Sequence, residues 1–384
     1  MHAVISPRKS RLRRACVGGS IGVLWLVGCS HGDVFSGRAN SQDSTLTQGA
    51  NRQLTYNVGN DRRPAWLPDG SGMLFTWEDL GRDDKDNCLV RLPSTGGTII
   101  QETCGYTLGS ADSIDTFIEA APNADGRLLY AKESSVETSL TPNESALVLA
   151  TVSSPANATI IRPYPYTAPN GKIHLGITDV RWIDPTTALY LAQQIFYLSP
   201  CSRCPRDTVR MGLELVKLDL ATVTPALTIV PNSQDVSSVS VNPTDGTVYI
   251  TRNGDTRVFS IDLATGAVAI VHDFGLLGIV RDVSVVGTRM MAVVGGRVSY
   301  GPDPVVGVLQ RDAAGALYEV NLATGSATLL PVLDRLFRRP ALSPDGQHGV
   351  AEAYSAHVAS CAPPIGCIDT TITSTADLWL FDLP

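Results

Sequence analysis

Few residues of this sequence have the types and spacing that catalysis needs. Its one G-x-S-x-G pattern, GGSIG at residues 18–22, lies in an apolar N-terminal segment that we expect to be removed. No H-E-x-x-H, P-loop or dinucleotide-binding motif occurs. Five histidines follow residue 28 at unrelated positions, which favours isolated surface or loop histidines: His31, His174, His272, His348 and His357. The sequence therefore predicts no catalytic residue, metal or cofactor.

Two other patterns could carry chemistry, and each has a simpler interpretation. PCSRCP at residues 200–205 contains a C-x-x-C pair, but redox pairs usually open a helix, whereas this one lies in a proline-flanked loop. A zinc site would need a second pair of ligands nearby. The acidic segment DLGRDDKDNC at 79–88 lacks the glycine and glutamate of an EF-hand loop, so we interpret it as a solvated acidic loop.

The strongest signal is an internal repeat. RRPAWLPDGS at residues 62–71 returns as RRPALSPDGQ at 338–347, 276 positions later. Weaker copies are APNADGRLLYA at 121–131, VRWIDPTTALYLA at 180–192, VNPTDGTVYIT at 241–251 and VSVVGTRMMAVV at 283–294. Five intervals over 276 residues give about 55 residues each, so six repeats fill residues 60–384.

Each repeat predicts four antiparallel strands. An apolar segment precedes a Pro-Asp-Gly turn, in which proline fixes φ, aspartate caps the backbone and glycine takes a left-handed conformation. An alternating strand, a variable loop and a third strand follow, and a turn such as DLATG at 262–266 leads into the fourth. Four such strands form a propeller blade. We therefore predict an all-β fold, a six-bladed β-propeller of four-stranded antiparallel blades over residues 51–384.

The repeated phrase resembles the WD40-like (PD40) repeat of the TolB-type six-bladed propellers, whose blades carry Pro-x-Trp-Ser-Pro-Asp-Gly. The resemblance extends over residues 51–384. It is strongest in the first and last blades, and the blades between them match the pattern less well. It implies the propeller fold. TolB also has an N-terminal α/β domain that this sequence does not match, so the resemblance does not imply the partners or role of TolB.

The ends of the repeat region predict how the ring closes. The sequence stops after the third strand of the sixth repeat, LWLFDL, and RQLTY at 52–56 resembles the fourth-strand ending of the same family. An open ring would leave an unpaired edge strand. We predict that residues 51–58 supply the missing strand and join the last blade to the first.

The N-terminus predicts export and a lipid anchor. Five basic residues precede the apolar stretch 15–27. This stretch is shorter than a typical membrane-spanning helix and therefore indicates a signal peptide. LVGC at 26–29 resembles the lipobox of bacterial lipoproteins, which implies cleavage after residue 28 and lipidation of Cys29. Residues 29–50 then form a flexible tether, and Ser30 resembles the sorting preference for the outer membrane. We expect a cell-envelope lipoprotein that is attached to the membrane through its N-terminal lipid.

Charge and cysteines narrow the remaining possibilities. Loss of the five basic residues of the signal would take the net charge from −7 to −12, which argues against sequence-independent nucleic-acid binding. Six cysteines follow Cys29 and allow fifteen pairings. Cysteines that neighbour each other in sequence lie within one repeat, so we predict that they pair locally. The predicted disulfides are Cys88–Cys104, Cys201–Cys204 and Cys361–Cys367.

Two places could bind a ligand. Long second-to-third-strand loops at 79–87, 134–144, 197–211, 298–315 and 355–376 decorate one rim, where binding residues usually lie. Aligned blades also bring six residues to the channel mouth: Arg63, Glu119, Asp179, Ser238, Asp282 and Arg339. There Arg63 and Arg339 should meet, which requires either internal salt bridges or an anionic ligand between them.

The sequence favours a binding function over catalysis. We expect a lipid-anchored binding or scaffolding module that engages an envelope protein, a glycan or a small anionic ligand at the loop-decorated face. The alternative is a propeller enzyme, of lyase or hydrolase type, with its site at the mouth of the central channel.

Overall fold

The computed structural model describes most of the chain from residue 51 onward. The described residues are 51–56, 59–79, 86–104, 113–136, 144–197, 209–222, 224–295, 298–303, 307–311, 314–330, 335–358, 370–372 and 376–383. The expected signal peptide and tether, including Cys29, lie outside them. The only helix among these residues is one 3₁₀ turn, Gly275–Leu277, and no helix in this part is long and apolar enough to cross a membrane.

Six antiparallel sheets form the blades of a propeller, as predicted. Blade 1 contains β2 (Asp61–Trp66), β3 (Gly72–Asp79), β4 (Asp86–Pro93) and β5 (Ile100–Cys104), and blade 2 contains β6 (Ser113–Pro122), β7 (Arg127–Val136), β8 (Glu144–Thr151) and β9 (Ser154–Tyr164). Blade 3 contains β11 (Ile173–Asp184), β12 (Thr187–Tyr197), β13 (Val209–Asp219) and β14 (Ala226–Ile229), with β10 (Tyr166–Thr167) added at its inner edge. Blade 4 contains β15 (Val236–Val241), β16 (Val248–Arg252), β17 (Arg257–Ile261) and β18 (Val268–Asp273). Blade 5 contains β19 (Ile279–Val286), β20 (Arg289–Gly295), β23 (Ala316–Asn321) and β24 (Ser326–Leu329), and blade 6 contains β25 (Arg335–Leu342), β26 (His348–Val358), β28 (Asp377–Asp382) and β1 (Asn51–Gln53).

The apolar core lies between the blades. Each of the six blade interfaces has its own buried cluster; at the interface of blades 3 and 4, for example, Leu189 and Leu215 pack with Ile250. Alternation along each strand sends successive side chains to the two neighbouring blades, so both faces of a blade are apolar. Each first strand lines the central channel, and its sequence therefore decides what the channel presents.

The ring closes through β1, which confirms the predicted closure. Strand β1 pairs antiparallel with β28, with Asn51 opposite Phe381. Beyond it the Leu54 N–H donates to the Leu378 carbonyl oxygen at 2.7 Å, and the Leu54 side chain is fully buried in the cluster between blades 6 and 1. The first and last copies of the repeat are therefore neighbours in space.

The tight turns follow the predicted chemistry. The Asp69 carboxylate accepts the Ser71 N–H at 3.0 Å, and the Asp345 carboxylate accepts the Gln347 N–H at 2.9 Å. In the DLATG turn, Gly266 has φ +70°, and a Cβ atom there would lie 2.1 Å from the Pro231 carbonyl oxygen. Only glycine fits this turn.

The loop-decorated rim is more ordered than predicted where the structure describes it. The segments predicted as irregular loops at 298–315 and 355–376 contain β21 (Val298–Asp303), β22 (Gly307–Arg311) and β27 (Thr370–Ile372). Strand β27 pairs antiparallel with β26 and parallel with β21, and so joins the loops of blades 5 and 6. The prediction of irregular loops is wrong here because β26 runs on to Val358 and offers a free edge for pairing.

One predicted disulfide is confirmed. Cys88 and Cys104 are opposite residues on β4 and β5 and are bonded to each other, with Cα atoms 4.0 Å apart. The other two predicted pairs, Cys201–Cys204 and Cys361–Cys367, lie outside the described residues and stay predictions.

Candidate functional site in the central channel

The first strand of every blade is interrupted at the same level of the channel. Register shifts lie between Arg62 and Ala65, Phe117 and Glu119, Thr178 and Arg181, Val236 and Ser238, Val280 and Asp282, and Arg338 and Ala341. All six predicted channel residues lie at these irregularities. A bulge re-aims a side chain and bends the strand, so the repeat places these residues at one level around the axis.

Three of the six residues have left-handed backbones. Their φ values are 58° for Arg63, 53° for Asp179 and 47° for Arg339. Such a conformation costs roughly 1–3 kcal/mol for a residue other than glycine. In each case the strained N–H donates to a carboxylate of the preceding blade.

The three carboxylates that accept these bonds are Glu352, Glu119 and Asp282. Glu352 accepts the Arg63 N–H at 2.7 Å, Glu119 accepts the Asp179 N–H at 2.6 Å, and Asp282 accepts the Arg339 N–H at 3.2 Å. Charge-assisted hydrogen bonds of this kind offset the backbone strain. The channel acids therefore hold neighbouring blades together.

The side chains continue the same network. Arg63 Nη1 lies 3.4 Å from Glu119 Oε2, Arg339 donates to Asp179, and the hydroxyl oxygen of Thr178 accepts from both arginines at 3.2 Å. The two arginines thus meet, as predicted, and carboxylates lie against them, which is the internal salt-bridge alternative. Ser238 is buried at the same level without a hydrogen bond to the other five.

Burial and charge set the protonation of the network. Burial and the nearby charge of Arg339 lower the pKa of Arg63. Burial disfavours the ionised form of Glu119, but the charges of Arg181, Arg339 and Arg63 outweigh it and lower its pKa. Burial raises the pKa of Asp179 to about 6, although Arg339 opposes that shift. The charge of Asp179 therefore changes close to neutral pH.

Two members of the network were missed from the sequence. Arg181 on β11 donates to both Glu119 and Asp179, and it occupies the position that holds alanine or serine in the other blades. This difference from the other repeats could have identified Arg181 as a channel residue from the sequence. Glu352 comes from the second strand of blade 6, and the first-strand alignment had no means of placing it in the channel.

A chamber of about 480 Å³ lies beyond the network, towards the Pro-Asp-Gly turns. The first strands of all six blades line it, and one residue of each blade forms a ring: Ala65, Ala121, Arg181, Ser240, Ser284 and Ala341. Prolines of the short turns, such as Pro68, Pro185 and Pro243, also line it, as do Trp66 and Trp182. The chamber therefore opens on the short-turn face, opposite the predicted loop-decorated face.

Hydrogen bonds between adjacent blades fix the chamber wall. Trp66 Nε1 donates to the Ala341 carbonyl oxygen at 3.0 Å, and Trp182 Nε1 donates to the Ala121 carbonyl oxygen at 2.8 Å. On the other side, the Ser240 hydroxyl accepts the Val285 N–H at 3.0 Å and the Ser284 hydroxyl accepts the Leu342 N–H at 2.9 Å. These four links make the wall a preformed one.

One histidine contradicts the expectation of surface or loop positions. His174 on β11 is 1% exposed, and its Nε2 lies 2.6 Å from Oε1 of the fully buried Glu214. Asn170 and Lys172 donate to the same carboxylate, which therefore fastens the β10–β11 hairpin to β13. Among the described residues, no three His, Cys, Asp or Glu side chains lie close enough together to hold a metal ion.

Comparison with known proteins supports the fold. Neither a protein-family model nor a curated protein sequence matches the chain. A gluconolactonase from Xanthomonas campestris is 13% identical, with a TM-score of 0.52 over 89% of this chain and 91% of that one. A luciferin-regenerating enzyme is 11% identical, with a TM-score of 0.51 over 87% and 96% of the two chains.

TolB structures are also among the similar ones. TolB from Acinetobacter baumannii is 14% identical, with a TM-score of 0.45 over 85% of this chain and 65% of that one. Identities this low show a shared fold and leave activity open. The class defined by the sheet topology and by the two likenesses with TM-scores above 0.5 is a six-bladed β-propeller.

Proposed function

We propose that this protein is a lipid-anchored binding module of the cell envelope that takes a small ligand into its central chamber. The observation that supports it is the chamber itself, whose volume of about 480 Å³ lies within the roughly 300–1,000 Å³ common for ligand sites. The ion network closes it on one side and interblade hydrogen bonds fix its wall, so little free energy is needed to organise it for binding.

The wall chemistry favours binding over the alternative of a propeller enzyme. The polar residues that line the chamber are Asn123, Arg181, Asp184, Ser240 and Ser284. Asp184 is the only carboxylic acid of this set, and although burial opposes ionisation, hydrogen bonds from Thr186 and Thr187 lower its pKa. A carboxylate held in this way is a weak base, so the set lacks a general base matched to neutral pH.

The chain enters the propeller on the face where the chamber opens. Asn51 lies beside Phe381 at the end of β28, and Arg52 Nη2 donates to the Thr95 carbonyl oxygen in the β4–β5 turn, at 3.2 Å. A tether from a lipidated Cys29 would therefore approach the short-turn face. In this arrangement the loop-decorated face is directed away from the tether and is left for a larger partner, such as a protein or a glycan.

Filling the chamber tests the proposal. Ala65→Trp places a large side chain at a partly buried position of the wall, and Ala264→Trp places the same side chain on an exposed turn as a matched control. Native mass spectrometry of the protein extracted from its own envelopes should show a retained small molecule in the wild type and the control, and its loss in Ala65→Trp. Equal retention by both variants, with both folded, would contradict a chamber site.

A further inference from the structure

The ring of six residues in the chamber wall has two chemically different halves. Blades 6, 1 and 2 contribute Ala341, Ala65 and Ala121, whereas blades 3, 4 and 5 contribute Arg181, Ser240 and Ser284. At the level of this ring one half therefore consists of alanines, with Pro64, Pro340 and Leu342 next to them, and the other of polar residues, although valines of blades 4 and 5 also line the chamber there. The division is continuous around the ring, so a bound molecule would be oriented by it.

The polar half offers hydrogen-bond donors. The Ser240 and Ser284 oxygens already accept a backbone N–H from the next blade, and the hydrogen of each hydroxyl is left to donate. Arg181 has five N–H groups, of which three donate to Glu119, Asp179 and the Val180 carbonyl oxygen. Within the described part of the chain the other two N–H groups of the guanidinium have no acceptor, and the side chain is 29% exposed. The arc thus combines the two remaining guanidinium N–H groups with two hydroxyl donors, while Glu119 and Asp179 share the charge of Arg181.

A further donor lies at the end of the first strand of blade 2. Asn123 is 8% exposed, and its amide nitrogen has no hydrogen-bond partner among the described residues. At the equivalent position of blade 4 the amide nitrogen of Asn242 donates to the Gly287 carbonyl oxygen of the next blade, at 3.1 Å. A buried amide left unpaired is unfavourable, and a ligand acceptor would satisfy it.

We propose that the chamber binds a small organic carboxylate with an apolar body. Its carboxylate would lie against the arc of Arg181, Ser240 and Ser284, and its body against the alanines and prolines of blades 6, 1 and 2. This inference rests on the proposed chamber function and adds the chemistry of the ligand. It differs from an anion held by Arg63 and Arg339, because Arg181 lines the chamber and those two arginines do not.

Matched pairs of probes test the ligand class. The probes are straight-chain carboxylates from acetate to octanoate, together with benzoate and phenylacetate, each measured beside its primary amide by saturation-transfer NMR on the purified full chain. We expect at least one carboxylate with an apolar body to bind about tenfold or more tightly than its amide, because hydrogen bonds to a charged group are worth about 1.5–3 kcal/mol. Equal binding of acid and amide would overturn the carboxylate assignment and leave a chamber site standing.

Variants with structural controls locate the binding. The double variant Ser240→Ala with Ser284→Ala, and separately Arg181→Gln, should each weaken carboxylate binding about tenfold or more. Thr251→Val is the control for the serines because it deletes an interblade hydrogen bond, from the Thr251 hydroxyl to the Arg281 carbonyl oxygen, at a residue that does not line the chamber. Arg63→Gln is the control for Arg181 because both side chains contact Glu119.

The controls should bind the carboxylate nearly as the wild type does. Equal losses in variants and controls would show a loosened ring rather than a carboxylate site, and would overturn the inference. So would the absence of binding by every probe, or binding that survives Ala65→Trp. Loss of the natural ligand in Ala65→Trp, measured separately, would still support the chamber as a binding site.

Discussion

Replacing Leu54 with alanine tests ring closure at one buried side chain. Leu54 follows the closing strand β1, is fully buried, and packs with Trp66 and Met73 of blade 1 and with Leu378 of blade 6. Truncation of a leucine at such a site costs roughly 2–5 kcal/mol, from lost burial and the cavity left behind. Because Leu54 contacts both blades of the closure, we expect a value in the upper half of that range.

That cost is large beside the whole stability of a domain, which is typically about 5–15 kcal/mol. Urea unfolding followed by tryptophan fluorescence should show a lower midpoint with an unchanged slope. Ile270→Ala is the matched control, since Ile270 also lies on a fourth strand but is 58% exposed, and it should change the free energy of unfolding by less than about 0.5 kcal/mol.

Equal effects of Leu54→Ala and Ile270→Ala would refute the reasoning. They would mean that β1 and Leu54 add no more to the fold than an exposed edge strand does. Deletion of residues 51–56 is the larger form of the test. It removes the pairing with β28 as well, and should unfold the propeller or open the ring rather than lower its stability slightly.

Three other perturbations have defined outcomes. Cys29→Ala should release the protein from membranes, and membrane retention of that variant after removal of the signal would contradict lipidation. Replacing Cys88 and Cys104 with serine should lower the free energy of unfolding by about 3 kcal/mol under oxidising conditions, since the bridge spans a sequence separation of 16; an unchanged urea midpoint would show that the bridge adds little. Burial raises the pKa of Asp179 to about 6, so the folded protein binds this proton more readily than the unfolded chain does. Protonation of Asp179 therefore adds to the free energy of unfolding at low pH, and this contribution is lost as pH rises through 6. Asp179→Asn should remove that loss, so the free energy of unfolding of the variant, measured by urea titration, should rise relative to the wild type by up to roughly 3 kcal/mol between pH 4 and 7. If the free energies of unfolding of the two proteins change in parallel with pH, Asp179 does not titrate in that range.

The repeat in the sequence was enough to predict the propeller. Turn residues at fixed spacing act locally, because proline, aspartate and glycine restrict the backbone wherever they occur, and alternating strands then pair with their neighbours in the chain. Closure by β1 was also predictable, since one missing strand at one end matched one spare strand at the other. The channel level of Arg63, Glu119, Asp179, Ser238, Asp282 and Arg339 followed from the same alignment.

Only the tertiary structure decided what the channel residues do. Glu352 reaches the backbone N–H of Arg63 across 289 positions of the chain, and no local pattern encodes that contact. The two halves of the chamber wall likewise depend on the order of blades around a closed ring, which brings Ala341 and Ala65 together and sets Arg181 beside Ser240. Local sequence determines each strand and turn, but ring closure determines which side chains become neighbours, and the character of the site depends on those neighbours.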